Sequence, residues 1–224
     1  MPYNISRIQN YTSSSGVFFF DTNIWIDVLA PKIGKISRRT KLYTNFFEKV
    51  DKDSGGKIAV NKLLFSELIN TYMHVIALRS YEEETGNKVP RNEFKTKYRP
   101  TQHYKDQYEI ICDDIFSRSD SFEFVDFPYE KIDFSDVILY PKLDFNDYCY
   151  YKAVLENKVK LVTNDFDFFV EDIEILTLND TLYNEQFLKA QKKKAINEDS
   201  LNIEGTLDGV LKVSIPNPKD KKPK

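Results

Sequence analysis

At 224 residues and 26.3 kDa the chain is large for one domain and short for two, and 41% hydrophobic with 14% aromatic residues supply a substantial core. Lys and Arg number 32 against 35 Asp and Glu, a net charge of −3 with a pI near 5.6, which excludes capture of nucleic acid by bulk charge and leaves only local basic patches for that purpose. Cys112 and Cys149 form no CxxC pair and the only histidines are His74 and His103, so a zinc site of His/Cys type is not expected and a reducing compartment is. Met1 to Ile5 lacks the apolar core of a signal peptide, and no stretch approaches the roughly 20 apolar residues that cross a bilayer. The expectation is a soluble, cytoplasmic protein with no membrane partner.

Residues 1–16 are polar and end in Ser13-Ser14-Ser15-Gly16, reading as a flexible lead. Val17-Phe18-Phe19-Phe20-Asp21 has four bulky apolar residues in a row, the pattern of a strand buried on both faces in a parallel sheet. Ile24 to Leu29 fits a short helix stopped by Pro31, and Ser37 to Val50 an amphipathic one with Leu42, Phe46 and Val50 on its stripe. After the turn Asp53-Ser54-Gly55-Gly56, Lys57 to Asn61 reads as the second strand and Lys62 to Arg79 as a helix. The pattern weakens over about 80–121, an insertion that is partly helical, with Gln102 to Phe116 as its clearest helix. Ser121 to Phe127 alternates as a third strand, Asp144 to Asn157 is helical, Lys160 to Asp165 is a fourth strand, and Glu174 to Leu178 is a fifth, at the edge. Residues 17–183 therefore form one domain. Beyond it come a helix near Asn184 to Ala195, a hairpin over Gly205 to Ile215 and a Lys-rich tail from Pro216 that reads as disordered.

Strands alternating with helices imply an α/β fold with a parallel sheet and right-handed crossovers. In such sheets ligands collect at the carboxyl ends of the strands. Asp21 and Asp165 sit at two such ends. Glu67 and Asp147 lie on sheet-facing sides of the helices that begin at Lys62 and Asp144, where an unpaired carboxylate is costly. Four acids at one place repel by several kcal/mol per close pair at intermediate dielectric, about 4 kcal/mol at 4 Å. They persist by holding protons or by holding a hard cation, and oxygen-only ligands suit Mg²⁺ or Mn²⁺.

These residues carry a resemblance. The apolar strand ending in Asp21-Thr22-Asn23, Ser66-Glu67-Leu68 on a helix after a strand, Asp147 opening a helix and Leu161-Val162-Thr163-Asn164-Asp165 after it together resemble the PIN-domain nucleases, including VapC-type toxins and RNA-processing enzymes. The resemblance covers roughly residues 15–180 apart from the insertion. It implies a three-layer α/β/α sandwich with five parallel strands in the order 3-2-1-4-5. It implies that Asp21, Glu67, Asp147 and Asp165 bind one or two Mg²⁺ or Mn²⁺ ions, with Thr22, Asn23, Thr163 and Asn164 orienting ligands or substrate. The implied reaction is endonucleolytic hydrolysis of RNA by a metal-activated water, leaving a 5′-phosphate and a 3′-hydroxyl. The partners it implies are RNA and either an antitoxin or a second copy of the chain. Two departures stand out: Tyr148-Cys149-Tyr150-Tyr151 replaces the small residues usual after the third acid, and the chain is longer than the compact toxins.

Plainer readings exist for each acid. The lesser alternatives are Asp21 as a mere cap of the helix near Ile24 and Glu67 as a rim residue reaching water, while Asp144 and Asp147 are spaced like a cap and its third helical residue. Asp144 suits the cap and Asp147 the metal, while Asp167 suits a turn better than Asp165 does. A phosphatase of the haloacid dehalogenase type needs a second Asp at position 23, which is Asn. A PIN-fold RNA binder or scaffold without turnover is the remaining alternative. For RNA contact, Arg91, Lys95, Lys97, Arg99 and Lys105, interleaved with aromatic residues and opposed only by Glu93, carry a local charge of +4, with a solvated loop or subunit contact as the alternative.

Overall fold

The structure is a computed structural model that describes residues 3–29 and 37–191. The chain divides into two units, Met1–Tyr183 and Asn184–Lys224. In the first, six strands all pair in parallel: β1 (Asn4–Arg7), β2 (Gly16–Phe20), β3 (Gly56–Val60), β4 (Phe122–Phe124), β5 (Lys160–Val162) and β6 (Glu174–Thr177). Their order is β1-β6-β5-β2-β3-β4. The helices are α1 (Thr22–Leu29), α2 (Arg38–Lys52), α3 (Lys62–Thr71), α4 (Leu78–Thr85), α5 (Gln102–Phe116), α6 (Phe134–Leu139) and α7 (Phe145–Asn157).

The apolar run of β2 explains the layering. Successive side chains of a strand point to opposite faces. Phe18 and Phe20 meet Phe46 and Phe47 of α2, with ring centroids 4.7–6.2 Å apart, while Phe19 meets Tyr150 of α7 at 5.1 Å on the other face. Phe18, Phe19 and Phe20 are fully buried, so β2 is a central strand covered by helices on both sides. Gly56 opens β3 where any Cβ would collide with the Val50 and Ser14 carbonyl oxygens, so only glycine lets the chain leave α2 so tightly. The helix starts follow side-chain caps: the Ser37, Asn61, Thr101 and Asp144 oxygens accept from Thr40, Leu64, Tyr104 and Asp147 N–H groups.

Several expectations change. Residues 1–16 are not wholly a flexible lead. Asn4–Arg7 pair with Glu174–Thr177, and Ile5 and Ile8 are buried. The sheet therefore has six strands rather than five: β1 is added beyond β6, which extends the expected order by one strand and makes Glu174–Thr177 an inner strand rather than an edge. A four-residue polar-looking strand has no sequence period to announce it; its partner lies far along the chain. The third expected strand shrinks to Phe122–Phe124, an edge with mostly exposed side chains. The insertion is mainly helical. α3 runs on through a π-turn at Tyr72–Ala77 into α4, which ends at Gly86 in the left-handed conformation. Residues 184–191, the described part of the second unit, are helical, whereas the hairpin and Lys-rich tail lie outside the described residues. Among the described residues no helix is long and apolar enough to cross a membrane.

Candidate metal centre

Two adjacent strand ends, those of β2 and β5, line the cleft, and a third, that of β3, starts the helix that carries Glu67. Asp21 follows β2, Asn61 follows β3 and caps α3, and Thr163-Asn164-Asp165 follow β5. The Asp21 amide donates to the Val162 carbonyl at 3.0 Å, and its own carbonyl starts α1 by accepting from Ile24 and Trp25. The helix thus begins on the Asp21 main chain, and its carboxylate is directed elsewhere. Thr163 Oγ1 donates to Asp21 Oδ2 at 2.6 Å, and Asn23 Nδ2 donates to the same oxygen. Asn23 Oδ1 in turn accepts from the Asn164 amide at 3.3 Å, and Thr163 Oγ1 accepts from the Asp165 amide at 2.9 Å. Thr163, Asn23 and Asn164 therefore tie two strand ends into one rigid loop pair. Thr22 Oγ1 is buried beside the Tyr150 hydroxyl without a hydrogen bond of good geometry among the described residues.

Glu67 reaches the same place from α3. Tyr150 Oη donates to Glu67 Oε2 at 2.6 Å, and Asn146 Nδ2 donates to it at 3.3 Å. Both partners lie on α7, one residue before and three after Asp147. Asp144 is the cap, accepting from the Asp147 amide at 2.9 Å. That leaves the Asp147 side chain to the cleft. An open cleft of about 470 Å³ is lined by Asp21, Glu67, Asp147 and Asp165 together with Asp144, Thr22, Asn23, Asn164, Thr71, Ile26, Asp27 and Arg39. Asp165 Oδ1 also accepts from the Asp167 amide at 2.9 Å, forming the turn that Asp167 was expected to occupy.

Electrostatics mark two of the acids. Burial first, then the charges of Glu67 and Asp165, push the Asp21 carboxyl up to about 7, against the lowering effect of the Thr163 hydrogen bond. Burial, then Asp144, Asp21, Asp165 and Glu67, push Asp147 up to about 8. Burial and the bond to Glu67 hold the Tyr150 phenol far above its usual value, so it remains a donor. Among the described residues no three His, Cys, Asp or Glu side chains stand together as a ready-made metal-binding group. The donor chemistry nevertheless suits a hard cation: every polar group in the cleft except Arg39 and amide or hydroxyl hydrogens presents oxygen, and the cluster holds excess negative charge.

Sequence reasoning missed four contributors. Tyr150 and Asn146 hold Glu67. Tyr43, fully buried, donates toward the Thr163 carbonyl and Asn164 Oδ1, both at 3.2 Å, and accepts from the Leu178 amide at 2.7 Å, bracing the β5 and β6 ends. Arg39 stands 4.0 Å from Asp27 at the rim. The signal available for the tyrosines was that a buried phenol needs a partner.

None of the five basic residues expected to contact RNA lines the acid cleft: Lys97 pairs with Glu93 at 2.5 Å, Arg91 and Lys95 are exposed, and Arg99 and Lys105 line a different hollow. No family model matches the sequence, and no curated protein matches it. Among solved structures, the chain is similar to VapBC2 from Rickettsia felis bound to a DNA fragment from their promoter, at 17% identity and a TM-score of 0.41, over 72% of this chain and 98% of that one.

Proposed function

We propose that this protein is a PIN-type endoribonuclease that depends on Mg²⁺ or Mn²⁺. One observation carries the reading: four carboxylates from widely separated parts of the chain line one cleft at the carboxyl edge of a parallel sheet, and two of them have pKa values pushed to neutrality or above. Such a cluster is relieved by a cation. Asp21, Glu67, Asp147 and Asp165 would hold it, with Thr163 and Asn23 orienting Asp21 and with Tyr150 and Asn146 orienting Glu67. A bound divalent ion would supply Lewis-acid polarisation of a phosphodiester and of water. The chain's own part is to hold these oxygens rigidly and to keep a proton on Asp147 until a cation replaces it. Arg39 would offset substrate charge at the rim. An antitoxin or a second copy of the chain would be a natural protein partner for such an enzyme.

A second reading is a PIN-fold RNA binder or scaffold without turnover, and it is favoured by the absence, among the described residues, of a preassembled three-ligand group. One experiment separates the two. Purified protein is incubated with labelled tRNA, rRNA and mRNA fragments in Mg²⁺, Mn²⁺ or EDTA. The enzyme cleaves with either metal and is silent in EDTA, and Asp21→Asn or Asp147→Asn costs at least about 100-fold in rate, the scale of losing one electrostatic stabiliser. Wild-type protein that binds but never cleaves, with Asp21→Asn keeping or gaining affinity, sinks the enzyme. Cleavage indifferent to EDTA sinks the metal.

A further inference from the structure

A second hollow, of about 650 Å³, borders a face of α3 next to the one that faces the acids. Its lining includes Ser66 and Asn70 of α3 and Arg99, Tyr104, Lys105 and Tyr108, the last three on α5. Ser66 and Asn70 form one i,i+4 row, and the adjoining row, Glu67 and Thr71, lines the acid cleft. α3 is therefore a wall that the two hollows share.

The lining is unlike an ordinary solvated face. Arg99 and Lys105 are exposed, and neither has an ion-pair partner among the described residues, in contrast to Lys97. Tyr104 is held by Phe94 and Tyr98, with centroids at 6.1 and 5.4 Å. Tyr108 packs beside it at 6.0 Å with an interplanar angle of 32°, yet remains 42% exposed. Glu109 is the single acid in the lining. Two unpaired cations beside a supported aromatic face, with an amide and a hydroxyl opposite, suit one phosphate and one base together. A base inside a duplex has both faces covered, so only an unpaired one can lie on such a ring.

We infer that this hollow is a subsite for an unpaired nucleotide of an RNA strand whose scissile phosphate lies in the acid cleft: Arg99 and Lys105 meet its phosphate, and Tyr108 stacks on its base. The assignment rests on the nuclease reading and narrows its substrate to RNA that is single-stranded beside the cut.

The test is binding of a fluorescein-labelled single-stranded oligoribonucleotide to the full chain in EDTA, where turnover is absent. Tyr108→Ala weakens binding about tenfold and Tyr108→Phe restores it, because the phenylalanine keeps a π-face. Lys105→Gln weakens binding and reduces the slope of log affinity against log salt by about 0.7, one phosphate on a single strand. A blunt duplex of the same sequence shows no dependence on Tyr108. Wild-type affinity in both Tyr108→Ala and Lys105→Gln overturns the subsite, as does an acidic peptide that shows these dependences when RNA does not. If wild-type protein cleaves RNA in Mn²⁺ while those variants bind normally, only the subsite falls. If the Tyr108 dependence holds but no RNA is cut, only the nuclease reading falls.

Discussion

Asp21 and Asp147 show how burial converts an ordinary acid into a group poised near neutrality. Each ionises near 3.8 in an unfolded chain and at about 7 and about 8 in the folded one. The metal-free folded state therefore binds more protons than the unfolded state across that interval, and stability falls as pH rises. The contribution is complete below the unfolded pKa and is lost as pH climbs through 7 and 8. Thermal melts in EDTA from about pH 6 to about pH 9 should show Tm falling by several degrees, on the scale of 2–4 °C per kcal/mol for a chain of this size. Asp147→Asn should flatten that fall, because an amide cannot ionise. A profile as steep in the variant as in the wild type would show that the cleft acids do not govern it. The same residues explain why Thr163 and Asn23 matter: each gives Asp21 a donor in a setting where an unsatisfied carboxylate costs more than its bond returns.

α7 serves two of the four acids, carrying Asp147 and holding Glu67. Its cap Asp144 sets where the helix starts, and from that start Asp147 lines the cleft, Asn146 and the buried Tyr150 reach Glu67, and Tyr148, Tyr151 and Val154 are buried. The Tyr148-Cys149-Tyr150-Tyr151 run thereby acquires a purpose at one position. Tyr150 fills the space against Phe19 and spends its hydroxyl on Glu67. Tyr150→Phe keeps the packing and removes the bond. A hydrogen bond to a charged group contributes about 1.5–3 kcal/mol, and Asn146 still faces Glu67, so a loss of about 1–2 kcal/mol in urea unfolding is expected, together with weaker metal affinity. Unchanged stability and unchanged metal affinity would reduce the bond to an accident of packing. α3 does the corresponding work on the opposite wall, with one row of residues in the acid cleft and the next in the neighbouring hollow.

For the whole molecule, an overall charge of −3 conceals strong local separation, an acid cleft beside a hollow with two unpaired cations. A protein built around mutually repelling carboxylates should be stabilised by the ion that relieves them. Binding to the folded state alone adds RT ln(1 + [L]/Kd), about 2.7 kcal/mol at 100 times Kd. Mn²⁺ should therefore raise Tm by about 5–10 °C near pH 8 and by less at pH 6, where protons compete. Asp21→Asn should lose most of that shift. No shift in wild-type protein at millimolar Mn²⁺ would remove the metal from the account. The N-terminal strand contributes at this scale too, since β1 covers the β6 edge that would otherwise present unpaired backbone groups to other chains.

Much of the fold was legible in one dimension. The Phe18-Phe19-Phe20 run marks a central strand, helices were legible from near Ser37, Lys62, Gln102 and Asp144, and Asp21 and Asp165 fall at strand ends because strand, turn and helix signals are local. What the chain could not announce were pairings set by packing across long separations. β1 pairs with β6, some 170 residues away, Tyr43 and Tyr150 bond to strand ends and to α3 far along the chain, and Arg99 and Lys105 meet Ser66 and Asn70 of α3 in one hollow. Sequence by itself determined which residues would arrive at the edge of the sheet. Tertiary structure alone decided which of them are held, by which hydroxyls and amides, because a hydrogen bond between residues 83 or 142 positions apart has no signature until the core between them has closed.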